Sequence, residues 1–428
     1  MTHFQQILVW KQNPAGRQQR VGTVRVKAPD PLHGGLVGAF RYDPRYLAEA
    51  GAFPLDPLHL PLSPEVFEAH RLRAGVHGVF EDALPDEWGR ALLVRRHDLP
   101  SSHQRVPDLL RVLGGEGLGA LSFGEHKGAP PRKDTSAAFR DLEFLVQAAE
   151  RYEQSGALPS DPVIRPLLQA GSSPGGVRPK ALVRDDTVFY IAKFPSAKDP
   201  VGVDMVRVEA ASLALAREAG IETPESRVVL CGSRPILLSR RFDVSDHGHY
   251  HQISLQSLMG VDGYYNESYM RVADVVRRVS DVPDRDLMAL YRRIVFHAVL
   301  GHTDDHLKNI LMRHDGHGYR LAPAFDLAPD VFQRADHVLS FGGTSGTRPS
   351  RAALVDLGAD CGLSPAQAHA IRAEVVGAVK RWDEVFAQEG ISVHERSRYA
   401  PDLEERLRVV NGSALRAVSI PEETGVPP

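Results

Sequence analysis

Short alternating apolar runs open the chain. Ile7-Leu-Val-Trp10 and Val21-Gly-Thr-Val-Arg-Val26 are rich in β-branched and aromatic residues with polar residues between them. Residues 7–26 are therefore predicted to form a hairpin, with Phe40-Arg-Tyr42 as the next strand and Tyr46-Leu47 as a turn. Residues 65–75 and 86–99 are predicted helices, the second with Leu92, Leu93 and Val94 on its inner side. The polar, proline-containing run from His126 to Ser136 breaks the pattern and marks a boundary. Residues 139–154 read as a further helix.

From Gly171 the texture changes. Two strands are predicted at 181–184 and 188–194, then a long helix over 201–219 closed by Gly220. Strands at 226–230 and 236–239 follow, and beyond Gln252 the pattern is mainly helical to Val410. Residues 171–410 thus read as a small β-rich lobe followed by a larger helical one. The expected organisation is an N-terminal subdomain at 1–130, a β-rich lobe at 131–245, a helical lobe at 246–410 and a disordered tail at 411–428. Residues 1–130 are expected to pack as a lobe of their own, without a catalytic residue.

Composition narrows the class. Of 428 residues, 43% are hydrophobic and 25% charged, the balance of a soluble globular protein. A formal charge of -3 advertises neither nucleic acid nor membrane, so such contacts would need a local patch. Cys231 and Cys361 make neither a disulfide framework nor a zinc cluster and fit a reducing compartment. There is no run of apolar residues long enough to span a bilayer and no cleavage-site pattern. A cytoplasmic enzyme or regulator is expected.

The densest cluster of ligand-grade side chains is Gly301-His-Thr-Asp-Asp-His-Leu-Lys-Asn-Ile310. Three readings compete for it. The aspartates could cap a helix end. His302, Asp304, Asp305 and His306 could hold a metal, although neighbours on a helix point to different sides, so an irregular loop would be needed. The third reading is the Asp304-to-Asn309 spacing, which is that of a kinase catalytic loop. Phosphoryl transfer needs an aspartate to accept the hydroxyl proton and an asparagine to hold magnesium.

The order of other residues favours the third. Asp326 lies seventeen residues beyond Asn309 in the apolar run Pro323-Ala-Phe-Asp-Leu-Ala-Pro329, where a second magnesium ligand would fall. The bland alternative is an Asx turn. Upstream, Lys193 sits inside Tyr190-Ile-Ala-Lys-Phe194, as a phosphate-contacting strand lysine does, unless it faces solvent. Glu209, sixteen residues on, is its candidate partner on the next helix. Gly171-Ser-Ser-Pro-Gly-Gly176 could approach phosphates through its backbone N–H groups.

These residues, set in SSPGGVRPKALV (172–183), YIAKFPS (190–196), LLSRRFDV (237–244), YHQISLQSLMG (250–260), GHTDDHLKN (301–309) and LAPAFDLAPD (321–330), resemble the HipA family. That family comprises the serine/threonine-kinase toxins of bacterial HipBA toxin–antitoxin modules. ILVW with VGTVRV, FRYDPRYL, LPDEWGR and GGEGLGALSF extend the resemblance over residues 5–410. It implies an α+β, two-lobed protein-kinase-like fold with an extra N-terminal β-rich subdomain.

The resemblance also implies ATP and Mg2+ as cofactors. Asp304 would be the catalytic aspartate, with His306 near the γ-phosphate, and Asn309 and Asp326 would bind the metal. Lys193, Glu209, Lys308, Ser173, Gly175 and Gly176 would serve ATP, with Arg240, Arg241, Phe242 and Asp243 as the adenine hinge and ribose side. Ser173, then Ser172, would be inhibitory autophosphorylation sites. The implied partners are a HipB-like helix-turn-helix antitoxin and a protein substrate such as glutamyl-tRNA synthetase. DNA would be met only through the antitoxin. The departure is Thr303 before Asp304, which removes the H-R-D motif and leaves the group that orients Asp304 unnamed. Two other classes remain open at this point: a kinase-fold interaction module serving as co-repressor, and a metal-dependent phosphohydrolase drawing on His247, His249 and His251.

Overall fold

The computed structural model describes residues 4–28, 34–125, 136–157, 163, 166–167, 178–263 and 266–412. The Gly/Ser loop with Ser172, Ser173, Gly175 and Gly176, and the tail beyond 412, lie outside the described residues.

The predicted hairpin is present as β1 (Phe4–Gln12) and β2 (Gln18–Lys27). With β3 (Gly38–Tyr42), β4 (Val66–Ala69) and β5 (Leu121–Gly124) it forms a five-stranded sheet in the order β4-β3-β2-β1-β5. Alternation sends Ile7, Val9, Val24 and Phe40 into the core. The β1–β2 register shifts at Val9/Trp10, and Gly22 pairs with Val9 there. A Cβ on Gly22 would lie 2.4 Å from the Phe40 ring and from the Arg41 carbonyl, so only glycine fits.

Residues 65–75 are not a helix. Val66–Ala69 pairs antiparallel with β3, Phe40 opposite Phe67, and a turn follows. Glu, Ala, Leu and Arg are good helix formers, but this short segment completes the edge of a sheet, and pairing across chain-distant residues overrides propensity. The predicted helix at 86–99 is real as Glu87–Arg96, capped by Asp86, whose side chain accepts from the Gly89 N–H.

The second sheet runs β6-β7-β8-β10-β9, from β6 (Ala137–Ala138), β7 (Lys180–Asp185), β8 (Val188–Lys193), β9 (Ser226–Cys231) and β10 (Arg234–Arg240). The helix between β8 and β9 is Met205–Glu218 rather than the whole of 201–219, because Asp204 caps it through the Arg207 N–H. A third sheet, β11 (His251–Ser254), β12 (Leu311–His314) and β13 (Tyr319–Leu321), lies with the helices Tyr269–Val279, Pro283–Leu300, Arg351–Asp360, Pro365–Val379, Trp382–Gln388 and Val393–Asn411. No described helix is long and apolar enough to cross a membrane.

The N-terminal sheet is seated on the third sheet through the segment Phe53–Leu55. The Phe53 ring stacks on His314 at 3.6 Å between centroids, and the Lys11 ammonium lies 3.8 Å from the centre of the same ring. The Tyr319 hydroxyl donates to the Pro54 carbonyl at 2.7 Å, and His251 Nε2 lies 2.8 Å from the Leu55 carbonyl. Asp82 accepts from the Ser254 N–H and hydroxyl at 2.7 and 2.8 Å.

This seam has a pH signature. Burial lowers the His314 pKa to about 4, and burial does the same to His77, also to about 4. Unfolding returns both to about 6.5, so the unfolded chain binds more protons and stability rises with pH across that interval. Stability is expected to fall as pH drops from about 6.5 to about 4, by on the order of 3 kcal/mol per histidine. Urea unfolding of wild type beside His314→Gln and His77→Gln measures it, the variants showing a flatter slope.

Candidate active site

Lys193 ends β8 and points into the molecule. Its ammonium lies 2.5 Å from the Glu209 carboxylate on the helix Met205–Glu218 and 2.8 Å from the Asp326 carboxylate. Burial alone would lower the Lys193 pKa, but Asp326 and Glu209 outweigh it and hold the amine above its ordinary value. For Asp326 burial would raise the pKa, and Lys193 followed by Lys180 outweighs that and keeps the carboxyl ionised. Burial dominates at Glu209, whose pKa is raised despite Lys193. Asp326 sits at φ +58°, the left-handed region that side chains other than those of Asn and Asp seldom tolerate.

Asp304 and Asp305 are neighbours with opposite environments. The helix Pro283–Leu300 stops at Gly301, left-handed at φ 73°, and the chain leaves it as an irregular loop. Asp304 is exposed, its side chain 69% accessible, with His306 Nε2 3.9 Å away. Asp305 is buried. It accepts from the Tyr269 hydroxyl and from the backbone N–H groups of Val338 at 2.9 Å and Leu339 at 3.4 Å, and it meets His337 Nδ1 at 3.2 Å. On its other side His337 Nε2 faces the Arg406 guanidinium at 3.1 Å. Arginine can only donate, so His337 is neutral at Nε2 and its Nδ1–H donates to Asp305. His297 Nδ1 lies 2.9 Å from the Tyr269 oxygen, whose one proton goes to Asp305, so His297 donates there. Burial, then His302 and Arg293, keep His297 uncharged by pushing its pKa well down.

Asp305 is thus the residue that sequence reasoning missed as an organiser. It pins the loop so that Asp304 projects into solvent. His302 contributes a second tie, its Nδ1 3.0 Å from the Ala328 carbonyl, which links the loop to the segment carrying Asp326. The only signal in the sequence was the doublet itself.

Asn309 is buried on a 3-10 turn, and neither its amide oxygen nor its amide nitrogen has a hydrogen-bond partner among the described residues. A buried unpaired amide is costly unless something binds it. Its amide oxygen and the ionised Asp326 carboxylate are hard oxygens of the type a magnesium ion takes while keeping several waters. Among the described residues no three His, Cys, Asp or Glu side chains are grouped to hold a metal, and His251 is instead bonded to Leu55. Lys308 is half-buried and acts electrostatically on Glu81 of the N-terminal part. Burial lowers the His306 pKa.

Two recesses share Asp326 in their walls. A groove of about 380 Å³ is lined by Arg178, Glu209, Asp304, Asp326 and Phe332. A slot of about 40 Å³ is lined by Lys193, Arg240, Arg241, Phe242, Asp243, Phe325 and Asp326. The rings of Phe242 and Phe325 stand 5.8 Å apart. The Asp243 carboxylate, buried, is not idle. It is gripped by Arg241 at 2.9 and 2.6 Å and accepts the Gly119 N–H at 2.8 Å, and the guanidinium overcomes burial to hold its pKa down. Leu118 also lines the slot. The N-terminal part therefore reaches the site, which its sequence did not indicate.

The model of a HipA-like C-terminal domain matches residues 172–382, and that of the HipA N-terminal domain matches residues 17–124. The N-terminal match precedes the C-terminal one on the same chain. The chain belongs to the HipA family. It is 26% identical over 325 residues to the "Putative kinase Y4mE" of Sinorhizobium fredii, covering 70% of this chain and 73% of that protein. Its fold matches HipA of Shewanella oneidensis MR-1, solved as a complex of HipA, HipB and operator DNA, with a TM-score of 0.67 at 17% identity over 94% of this chain and 97% of that one. The chain accordingly has the α+β, kinase-like architecture expected from its motifs.

Replacing Asp305 by alanine strands two buried N–H groups, a tyrosine hydroxyl and a histidine, and is expected to destabilise the fold by about 3 kcal/mol or more. Chemical denaturation beside Asp304→Ala checks it, since the exposed Asp304 is expected to change stability by less than about 0.5 kcal/mol.

Proposed function

We propose that this HipA-family chain is an ATP- and Mg2+-dependent serine/threonine protein kinase, the toxin of a toxin–antitoxin module. The observation that carries the reading is the Lys193 ammonium shared by Glu209 and Asp326 at 2.5 and 2.8 Å, with Asp304 and Asp326 lining one groove. That arrangement supports a reading as phosphoryl transfer, where catalysis is positioning plus electrostatics.

The adenine would enter the slot that Phe242 and Phe325 help to line, and Lys193, anchored by Glu209, would present its charge to the phosphates. Asp304, exposed at the groove, is set to accept the proton of a substrate hydroxyl. Asn309 and Asp326 would hold Mg2+, which supplies neutralisation of charge on the transferring phosphoryl group. Arg240 and Arg241 flank the slot. By family resemblance Ser173, Gly175 and Gly176 belong to the loop over the phosphates. A phosphate on Ser173, or on Ser172, would add about -1.5 to -2 charge beside those of ATP and switch the enzyme off. The proposed partner is a HipB-like helix-turn-helix antitoxin, as HipB accompanies the Shewanella protein, with DNA met through it. The proposed substrate is an aminoacyl-tRNA synthetase, glutamyl-tRNA synthetase first, in the cytoplasm.

Asp304→Asn, Asp326→Asn and Lys193→Ala are each expected to lower phosphotransfer by about a thousandfold or more and to relieve growth inhibition, the exposed Asp304→Asn with stability unchanged and the other two variants with a lower unfolding midpoint as well. Labelled ATP and phosphoproteomics of expressing cells measure this, and full activity in any two variants sinks the mechanism. Intact-mass spectrometry of wild type beside Asp304→Asn is expected to show an added phosphate on wild type only, mapped to Ser173 or Ser172. A phosphate mapped elsewhere removes the proposed switch.

A further inference from the structure

Lys193 has a second lysine across from it. In the β7–β8 ladder Lys180 is the Cα partner of Lys193, and residues directly opposite on an antiparallel pair share one face of the sheet. Both ammonium groups therefore serve the same side. Lys180 is almost wholly enclosed, with 3% of its side chain accessible. Its Nζ lies 2.7 Å from the Asp86 carboxylate, which is equally enclosed at 3%. Asp86 comes from the N-terminal part, where its other oxygen accepts the Gly89 N–H at 2.9 Å and caps the helix Glu87–Arg96. One carboxylate thus closes a helix with one oxygen and receives a lysine of the other sheet with the second.

Lys180 stands one strand from the ammonium that Glu209 and Asp326 share, on the same face of the sheet. Two ammonium groups on one face would repel each other in the low-dielectric interior if neither were compensated. Lys193 is compensated from within the kinase-like part by Glu209 and Asp326, whereas Lys180 is compensated by Asp86.

We propose that Lys180 and Asp86 are positioning residues of the phosphate site: Asp86 holds Lys180 in place as a second, buried positive charge behind Lys193 and Asp326. This rests on the kinase reading above. It assigns the N-terminal part an electrostatic share in nucleotide binding. A purely structural pin would predict something different. Buried ion pairs replaced on both sides by neutral groups of similar size often keep or gain stability. A pin can therefore be exchanged for a neutral pair without loss, whereas a source of field cannot.

The test is the double substitution Asp86→Asn with Lys180→Met in the full chain, with Asp86→Asn and Lys180→Gln as a second neutral pair. Thermal unfolding and calorimetric titration with Mg2+ and ATP are measured for each. Both pairs are expected to unfold within a few degrees of wild type yet bind Mg-ATP about tenfold more weakly, the low end of what one nearby unit charge does to a buried anion. Lys180→Arg keeps the charge and is expected to bind within about twofold of wild type. Wild-type affinity in a folded neutral pair overturns the proposal, and so does a loss in Lys180→Arg as large as in the neutral pairs. A wild type that binds no Mg-ATP at all fails the kinase reading itself, which is a separate outcome.

Discussion

A buried ammonium shared between two carboxylates is the constraint on which the rest of this molecule turns. Lys193, Glu209 and Asp326 come from a strand, a helix and a loop far apart in the chain, and none of them could be left in the interior alone. Each charge is tolerable only when the other two are in place, so the second sheet, its helix and the segment 321–330 must close on one another in a single arrangement. The left-handed backbone at Asp326 belongs to the same closure, since it turns the carboxylate inward at a point where an extended residue would carry it elsewhere.

The loop carrying Asp304 is held on a different principle. Two identical side chains sit side by side, and the one in water has its direction fixed by the one that is not. Asp305 is satisfied by a tyrosine, a histidine and two backbone N–H groups, and behind the histidine stands Arg406 of the long C-terminal helix. Orientation comes from a buried anion next to Asp304, and His302 joins the loop to the segment carrying Asp326.

Much of this was legible in the sequence, and the divide follows the range of the interactions. The strand lysine, its helix glutamate, the Asp304–Asn309 spacing and the late aspartate could be read because each is a short motif in a fixed order, and the structure gathers Lys193, Glu209 and Asp326 within hydrogen-bond distance. The hairpin and the helices at 87–96 and 142–155 could be read from local periodicity. What could not be read depends on distant partners. Asp86 looked like a helix cap, which it is, but Lys180 lies 94 residues on. Asp305 was weighed as a metal ligand because nothing near it announces Val338, His337 or Arg406. Residues 65–75 carry helix-forming side chains, and only pairing with β3 makes a strand of Val66–Ala69 within them. Asp243 could be read as a slot residue, but not that its carboxylate is held by the Gly119 N–H, 124 residues earlier in the chain, together with Arg241.

The clasp between Gly119 and Asp243 has a consequence for how such chains can change over evolutionary time. Leu118 and Gly119 belong to one half of the gene product and complete a slot whose other walls belong to the second half. The halves are therefore not interchangeable parts. Recombination that joined this second half to a foreign first half would have to bring a matching loop with it, or the slot would lose a wall and Asp243 a donor. Inheritance as an unbroken unit is the easier path, and the two halves are expected to drift together, residue against residue, along that seam.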